Sequence, residues 1–142
     1  MKTNTIVILD DEFDRLDAMI PLLHKRYPAL NVVTFDNAPD INKWLGDNLL
    51  TCVLICLDHD LGANRNRDGT VFDPGVGQNV ADYLASQIPV CKIILHTTNT
   101  DARPGMIRTL EQAGWDVSYV SPYEGLLWVG EAWANEVKNA LW

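Results

Sequence analysis

Acidic side chains follow two short apolar runs of the chain, at the point where each run ends. Asp10 and Asp11 come directly after the run 6–9, and Asp58 comes directly after the run 52–57. Both runs are typical of buried strands, and in an open α/β sheet the carboxyl ends of parallel strands meet at one edge, where ligands bind. Carboxylate oxygens are the ligands that hard divalent cations prefer. The spacing therefore predicts a site for Mg²⁺ or Mn²⁺ with Asp10, Asp11 and Asp58 as ligands.

Two histidines and a polar turn belong to the same predicted edge. His59 follows Asp58, and a third apolar run, 92–95, leads into His96. Imidazole is the side chain that ordinarily titrates near neutrality, so both histidines are candidates for general acid and base. We interpret Asp60 as a partner that orients a histidine rather than as a direct metal ligand. Groups that can donate hydrogen bonds or charge to phosphate oxygens are Thr97, Thr98, Asn99 and Arg108.

The elements that position these residues are five repeats of a strand followed by a helix. Short runs rich in β-branched residues alternate with stretches of helical period, which is typical of an α/β fold with a parallel sheet. The predicted strands are 5–10, 31–35, 52–57, 91–95 and 116–120, and the predicted helices are 13–26, 38–48, 77–87, 104–113 and 125–141. Between Gly62 and Gly77 the pattern stops, and a connection of this length predicts either a functional lid or a disordered segment. Arg65 and Arg67 in that loop are candidate cations facing the ligand.

Composition indicates one soluble globular domain over residues 1–142. The 142 residues are 47% apolar and 21% charged, which suffices for a conventional core. No apolar run approaches the ~20 residues of a membrane span and nothing resembles a signal peptide, so we expect a cytoplasmic protein. The net charge of −8 argues against non-specific binding to nucleic-acid backbones but allows a small phosphate ligand held through a metal. Trp128, Trp133 and Trp142 belong either to the core or to an apolar patch that supports a homodimer.

The order of the elements and the polar strand ends resemble the receiver domains of two-component response regulators. The resemblance covers nearly the whole chain and implies a (βα)5 doubly wound, flavodoxin-like sheet with strand order 2-1-3-4-5. In that family the acidic pair, here Asp10 and Asp11, binds Mg²⁺. The aspartate after strand three, here Asp58, accepts a phosphoryl group, and the position of Thr97 contacts the phosphoryl oxygens. The chain departs from the family at the end of strand five, where Ser121 stands in place of a lysine.

The motifs around the two histidines make the resemblance more specific. Leu57-Asp-His-Asp-Leu-Gly62 and Ile93-Ile-Leu-His-Thr-Thr-Asn99 resemble the cyclic-phosphate processing receiver domains, for which a phosphodiesterase-like role has been proposed from sequence. This resemblance implies a metal-dependent phosphoesterase that acts on cyclic phosphate or a cyclic nucleotide, or a protein that binds such a ligand. The alternative is a non-enzymatic phosphorelay receiver or adaptor in signal transduction, with Asp58 as the phospho-acceptor.

Each motif also has a simpler explanation. Asp10 and Asp11 would serve equally as the N-terminal cap of the first helix, because aspartate accepts hydrogen bonds from the free N–H groups there. Asp58 with His59 would fit a strand end that becomes a solvated turn. His96 would fit a core histidine, and the residues after it a plain turn. These alternatives remain open from the sequence.

Overall fold

A computed structural model describes residues 2–62, 64–65, 70–123 and 125–141, with residues 64–65 described by their backbone only. In chain order the strands are β1 (Thr5–Leu9), β2 (Asn31–Phe35), β3 (Cys52–Leu57), β4 (Asn64–Arg65), β5 (Val71–Phe72), β6 (Lys92–Leu95) and β7 (Asp116–Tyr119). The five longest form a parallel sheet in the order β2-β1-β3-β6-β7. Counted among these five alone, this is the predicted order 2-1-3-4-5, and the doubly wound α/β fold is confirmed.

Among the described residues, four α-helices connect the strands of the sheet and a fifth follows the last strand, close to the predicted positions. They are α1 (Phe13–Arg26), α2 (Ala38–Asn48), α3 (Gly77–Ala85), α4 (Arg103–Gln112) and α5 (Ala134–Leu141). The last helix differs from its prediction, because a π-helical turn, Val129–Trp133, precedes α5. A π-helix has wider turns than an α-helix and i→i+5 hydrogen bonds, so residues five apart, here Trp128 and Trp133, lie near the same face. Both side chains are buried, 1% and 0% exposed, so the predicted apolar patch for a homodimer cannot include them, and Trp142 lies outside the described residues.

The sheet is covered on both faces, and successive strand residues alternate between two cores. Ile6 and Ile8 of β1 pack with α1 and α5, whereas Val7 and Leu9 pack with α2, α3 and α4. Burial on both faces explains why the strands read as continuous apolar runs rather than as alternating ones. It also leaves the polar residues of these segments at the strand ends, where the candidate site lies.

The segment 62–77 contains a short antiparallel pair, β4 with β5, where the sequence predicts only a loop. Val71 and Phe72 are β-branched and aromatic, and such residues favour a strand even in a short connection. The side chain of Arg65 and the whole of Arg67 lie outside the described residues, so their predicted role stays a prediction. Within the described ranges, no helix combines the length and apolarity needed to cross a bilayer.

Candidate functional site

The carboxylates of Asp10, Asp11 and Asp58 come together at the carboxyl edge of the sheet. β1 and β3 are neighbours with Leu9 opposite Leu57, so the residues that follow these two strands meet. One oxygen from each carboxylate lies within 4.8 Å of the others. Asp10 and Asp58 are buried, and Asp11 is half-buried and accepts a hydrogen bond from the N–H of Gly62. Three hard oxygen donors at this separation fit Mg²⁺ or Mn²⁺.

The backbone at Asp58 is fixed by the first residue of α3. The N–H of Gly77 donates a 2.8 Å hydrogen bond to the carbonyl oxygen of His59. A Cβ atom at position 77 would lie only 2.0 Å from the carbonyl oxygen of Asp58, so no side chain fits there. Glycine is therefore required for this close approach of helix and strand end.

Both oxygens of Asp10 are occupied by hydrogen bonds. Oδ1 accepts from the N–H of Glu12 at 2.8 Å, and Oδ2 accepts from Nε2 of His96 at 3.0 Å. Burial raises the pKa of Asp10, but the hydrogen bond and charge of His96, together with Glu12 and Arg15, outweigh it and lower the pKa. The N-terminal cap of α1 is Glu12, without a side-chain capping bond, so the alternative that Asp10 and Asp11 cap the helix is wrong.

Asp58 is held differently, and its pKa shifts in the opposite direction. Oδ1 accepts from the N–H of His59 at 2.8 Å, and Oδ2 faces Nη1 of Arg15 at 3.4 Å. Burial raises its pKa to about 6, with His96 opposing the shift and the charge of Asp10 adding to it. At 4% exposure, Asp58 is not part of a solvated turn.

Arg15 lies between the two buried carboxylates, and the sequence interpretation did not include it. Nη1 is 3.5 Å from Oδ2 of Asp10 and 3.4 Å from Oδ2 of Asp58. Nε pairs with Oε2 of Glu12 at 2.9 Å, and the guanidinium lies 5.5 Å from the ring centroid of Trp128. The available signal was an arginine at a buried position of α1, because a charge on an inward helix face needs partners.

His96 is fully buried, and its ring stacks against Trp128 at a centroid distance of 6.1 Å and an interplanar angle of 22°. Nε2 donates to the ionised Asp10, and Nδ1 has no hydrogen-bond partner among the described residues. The geometry therefore ties His96 to Asp10 inside the protein, as in the core-histidine alternative.

His59, Asp60 and Asn99 form a more open polar chain beside the carboxylates. Nδ1 of His59 donates to Oδ1 of Asp60 at 2.8 Å, and Nδ2 of Asn99 reaches the same oxygen at 3.1 Å. The hydrogen bond from His59, followed by that from Asn99, lowers the pKa of Asp60. The chain joins the end of β3 to the turn after β6. Asp60 contacts the histidine, as its predicted orienting role requires.

The other predicted phosphate donors differ in their surroundings. Thr97 is buried and its Oγ1 accepts from the N–H of Asn99 at 3.0 Å, while Thr98 is exposed. Asn99 also accepts from the N–H of Ala102 through Oδ1 at 2.9 Å, so part of this turn serves to start α4. Arg108 is exposed on α4 and lines a groove with Tyr119 of β7 that none of the three carboxylates lines.

The end of β7 contributes no charge of its own. Oγ of Ser121, at the position of the missing lysine, accepts a 2.7 Å hydrogen bond from Nη1 of Arg103. The guanidinium of Arg103 also lies 4.1 Å from the ring centroid of Tyr119. Arg103 is therefore engaged on the β7 side of the molecule.

The same arrangement of strands and helices occurs in solved receiver domains of response regulators. The phosphorylated cyanobacterial phytochrome response regulator RcpA is similar with a TM-score of 0.73 at 16% identity, over 97% of this chain and 94% of that one. The response regulator domain of Thermotoga maritima CheB gives 0.67 at 12% identity, over 99% and 97%. The Mn²⁺-bound form of the response regulator Rcp1 gives 0.64 at 12% identity, over 91% and 88%. The fold is thus the receiver fold.

Sequence comparison is more specific about the family. No match to a curated protein sequence was found. The family description "Cyclic-phosphate processing Receiver domain" matches residues 5–112, which include both histidine motifs and all three carboxylates. The chain therefore belongs to the cyclic-phosphate processing receiver domains.

Proposed function

We propose that this protein is a metal-dependent phosphoesterase that opens a cyclic phosphate, as in a cyclic nucleotide. The observation that carries the proposal is the position of His59. Its side chain is 13% exposed, it directly follows the buried Asp58, and its Nδ1 is held by Asp60. An imidazole held by a carboxylate, one residue after a candidate metal ligand, can serve as the general base of a metal-assisted hydrolysis. Membership of the family supports the choice of a cyclic phosphate as ligand.

Asp10, Asp11 and Asp58 would hold the divalent cation. Mg²⁺ and Mn²⁺ suit the set because all the donors are carboxylate oxygens. When bound, the cation neutralises the phosphate oxygens and lowers the barrier to attack at phosphorus. The proposed ligand is a small molecule. We expect the protein to lie in the cytoplasm and not to bind nucleic-acid backbones.

His59 would act as the general base and then as the acid. Because Nδ1 donates to Asp60, the lone pair is on Nε2, which has no hydrogen-bond partner among the described residues. Nε2 removes a proton from the attacking water, the new P–O bond forms, and the bond from phosphorus to one ring oxygen breaks. The proton then passes to that released oxygen, which gives a phosphate monoester and a free hydroxyl.

His96 has a positioning role in this proposal, since its Nε2 is bonded to Asp10 and it is fully buried. Thr97, Thr98 and Asn99 are the proposed donors to the non-bridging phosphate oxygens. Arg108 is left out of the proposed contacts because it lines the groove beside Tyr119.

The test is incubation with a panel of 2′,3′-cyclic and 3′,5′-cyclic nucleotides, with Mn²⁺, Mg²⁺ or EDTA, followed by chromatography of the products. We expect metal-dependent release of a monophosphate from at least one of them. His59→Gln should reduce the rate by about 10²–10⁴-fold, the usual contribution of a general base. The matched control is His24→Gln, which changes an exposed histidine at the end of α1. Equal rates of turnover for the wild type and His59→Gln would show that His59 is not the general base.

The second candidate is a phospho-acceptor module without enzymatic activity. It is favoured by the buried Asp58 at the end of β3 with Thr97 at the end of the neighbouring β6, within a receiver fold. Its test is incubation with acetyl phosphate and Mg²⁺, followed by intact-protein mass measurement. Phosphorylation at Asp58 that disappears in Asp58→Asn, with no turnover of any cyclic nucleotide, would favour this function over the first.

A further inference from the structure

We propose that Arg15 binds the phosphate of the ligand at this site. The inference rests on the proposed function, because it names the cationic group that meets the cyclic phosphate. It is carried by the contacts of the guanidinium, by its burial, and by the charge of the cluster around it. The side chain is 10% exposed, so its position is set by the protein and not by solvent.

Arg15 is anchored by two contacts besides those to the buried carboxylates. Glu12 holds Nε at 2.9 Å from the preceding turn, and the ring of Trp128 lies 5.5 Å from the guanidinium carbon. These contacts fix the plane of the guanidinium and direct Nη1 to Asp10 and Asp58, at 3.5 and 3.4 Å. A group prepositioned in this way loses little conformational entropy when a phosphate arrives.

The guanidinium retains hydrogen-bonding capacity for a ligand. Arginine carries five N–H donors, and the contacts to Glu12, Asp10 and Asp58 use Nε and Nη1. Nη2 has no hydrogen-bond partner among the described residues. The distances from Nη1 to the two aspartates are also longer than the 2.7–2.9 Å typical of charge-assisted hydrogen bonds, so these pairs can be exchanged for a phosphate.

The charge of the cluster makes a fixed cation necessary. Three carboxylates carry three negative charges, so a divalent cation alone leaves the site negative and repels a phosphodiester anion. The positive charge of Arg15 offsets the one negative charge that these three carboxylates keep beside a divalent cation, while the solvent-exposed Glu12 pairs with the same guanidinium through Nε. Of the arginines and lysines that the structure describes, Arg15 is the one that contacts these carboxylates. Arg103 donates instead to Ser121.

The test compares Arg15→Met and Arg15→Lys with the wild type, using Mn²⁺ alone and then Mn²⁺ with 2′,3′-cyclic AMP. Arg26→Met is the matched control, since it removes an exposed arginine from the other end of the same helix. Binding is measured by calorimetry, and folding by circular dichroism. Tryptophan fluorescence adds a readout that does not depend on activity, because Arg15 lies over Trp128.

We expect Arg15→Met to bind Mn²⁺ at least as tightly as the wild type, because an adjacent positive charge is lost. Its affinity for the cyclic nucleotide should fall at least tenfold, with Arg15→Lys intermediate and Arg26→Met unchanged. Wild-type nucleotide affinity in Arg15→Met overturns the inference while the proposed function stands. If Arg15→Met does not fold, wild-type affinity in both single variants, Arg15→Lys and Glu12→Gln, has the same consequence. A wild-type protein that binds Mn²⁺ but no cyclic nucleotide overturns the proposed function itself.

Discussion

Nε2 of His96 lies 3.0 Å from Oδ2 of Asp10, and neither side chain is exposed to solvent. The pair joins the end of β6 to the end of β1 across the intervening β3. Because Asp10 is ionised and buried, it needs donors on both oxygens, and His96 supplies one of them. The histidine that the sequence suggests for proton transfer therefore holds Asp10, a proposed metal ligand, in place.

Replacing His96 with alanine should destabilise the protein. The change leaves an ionised carboxylate short of a donor and opens a cavity beside Trp128, and together these cost about 2–4 kcal/mol. Urea unfolding measures the difference. The exposed His24→Ala should stay within about 0.5 kcal/mol of the wild type. Equal unfolding midpoints for His96→Ala and the wild type would show that the buried contact does not stabilise the fold.

Replacing Asp58 with asparagine should stabilise the metal-free protein at pH 7.5 by about 2–3 kcal/mol. Burial raises the pKa of Asp58 to about 6 from 3.8, so the folded state holds this proton more tightly than the unfolded chain. The resulting stabilisation is complete below about pH 4 and is lost as the pH rises through 6, because the buried group then ionises. Asparagine stays neutral throughout.

Thermal unfolding at pH 4 and pH 7.5 measures this effect. The gain of Asp58→Asn over the wild type should be present at pH 7.5 and absent near pH 4. Asp47→Asn, at an exposed position of α2, is the control and should change little at either pH. A variant that is less stable than the wild type at pH 7.5 without metal would contradict the raised pKa.

Affinity for Mn²⁺ should decrease as the pH falls, because a proton competes with the metal for Asp58. With its pKa raised to about 6 by burial, this carboxyl is mostly ionised at pH 7 and mostly protonated at pH 5. The dissociation constant should rise about tenfold across that interval from this group alone. Titration calorimetry at the two pH values measures it, and a constant affinity would place the metal away from Asp58.

Gly77→Ala should reduce both stability and metal binding. The added Cβ would lie 2.0 Å from the carbonyl oxygen of Asp58, so helix α3 and the strand end must separate. We expect a loss of about 3 kcal/mol, which is typical of an overpacked interior position. Gly130→Ala is the control, since a Cβ there has no neighbour within 4 Å. Equal unfolding midpoints for the two variants would mean that the backbone yields without cost.

The fold follows from local pattern because its strands are short, apolar and buried on both faces. Strands 31–35 and 52–57 and helices 13–26 and 38–48 coincide with their predicted bounds. The last helix was harder to predict from the sequence. The π-helical turn Val129–Trp133 turns Trp128 inward, and apolar composition gives no sign of such a turn. The β4–β5 pair was missed because two-residue strands carry almost no periodic signal.

The carboxylate cluster could be predicted because the sheet brings its strand ends together whatever the side chains do. The roles within the cluster could not, since they depend on orientation. His59 and His96 look equivalent in the sequence, yet one contacts Asp60 at the rim and the other is buried against Trp128. Arg15 was missed because its partners Asp10 and Asp58 are 5 and 43 residues away in the chain.

Phosphorus NMR of 2′,3′-cyclic AMP incubated with the protein and Mg²⁺ tests the central claim most directly. We expect the cyclic phosphate resonance to be replaced by that of a monoester. EDTA, Asp58→Asn or His59→Gln should slow the conversion at least about 10²-fold, while His24→Gln leaves it intact. The claim is contradicted if the cyclic phosphate resonance stays unchanged for this nucleotide and the others of the panel, while the same protein binds Mg²⁺ and is phosphorylated at Asp58 by acetyl phosphate.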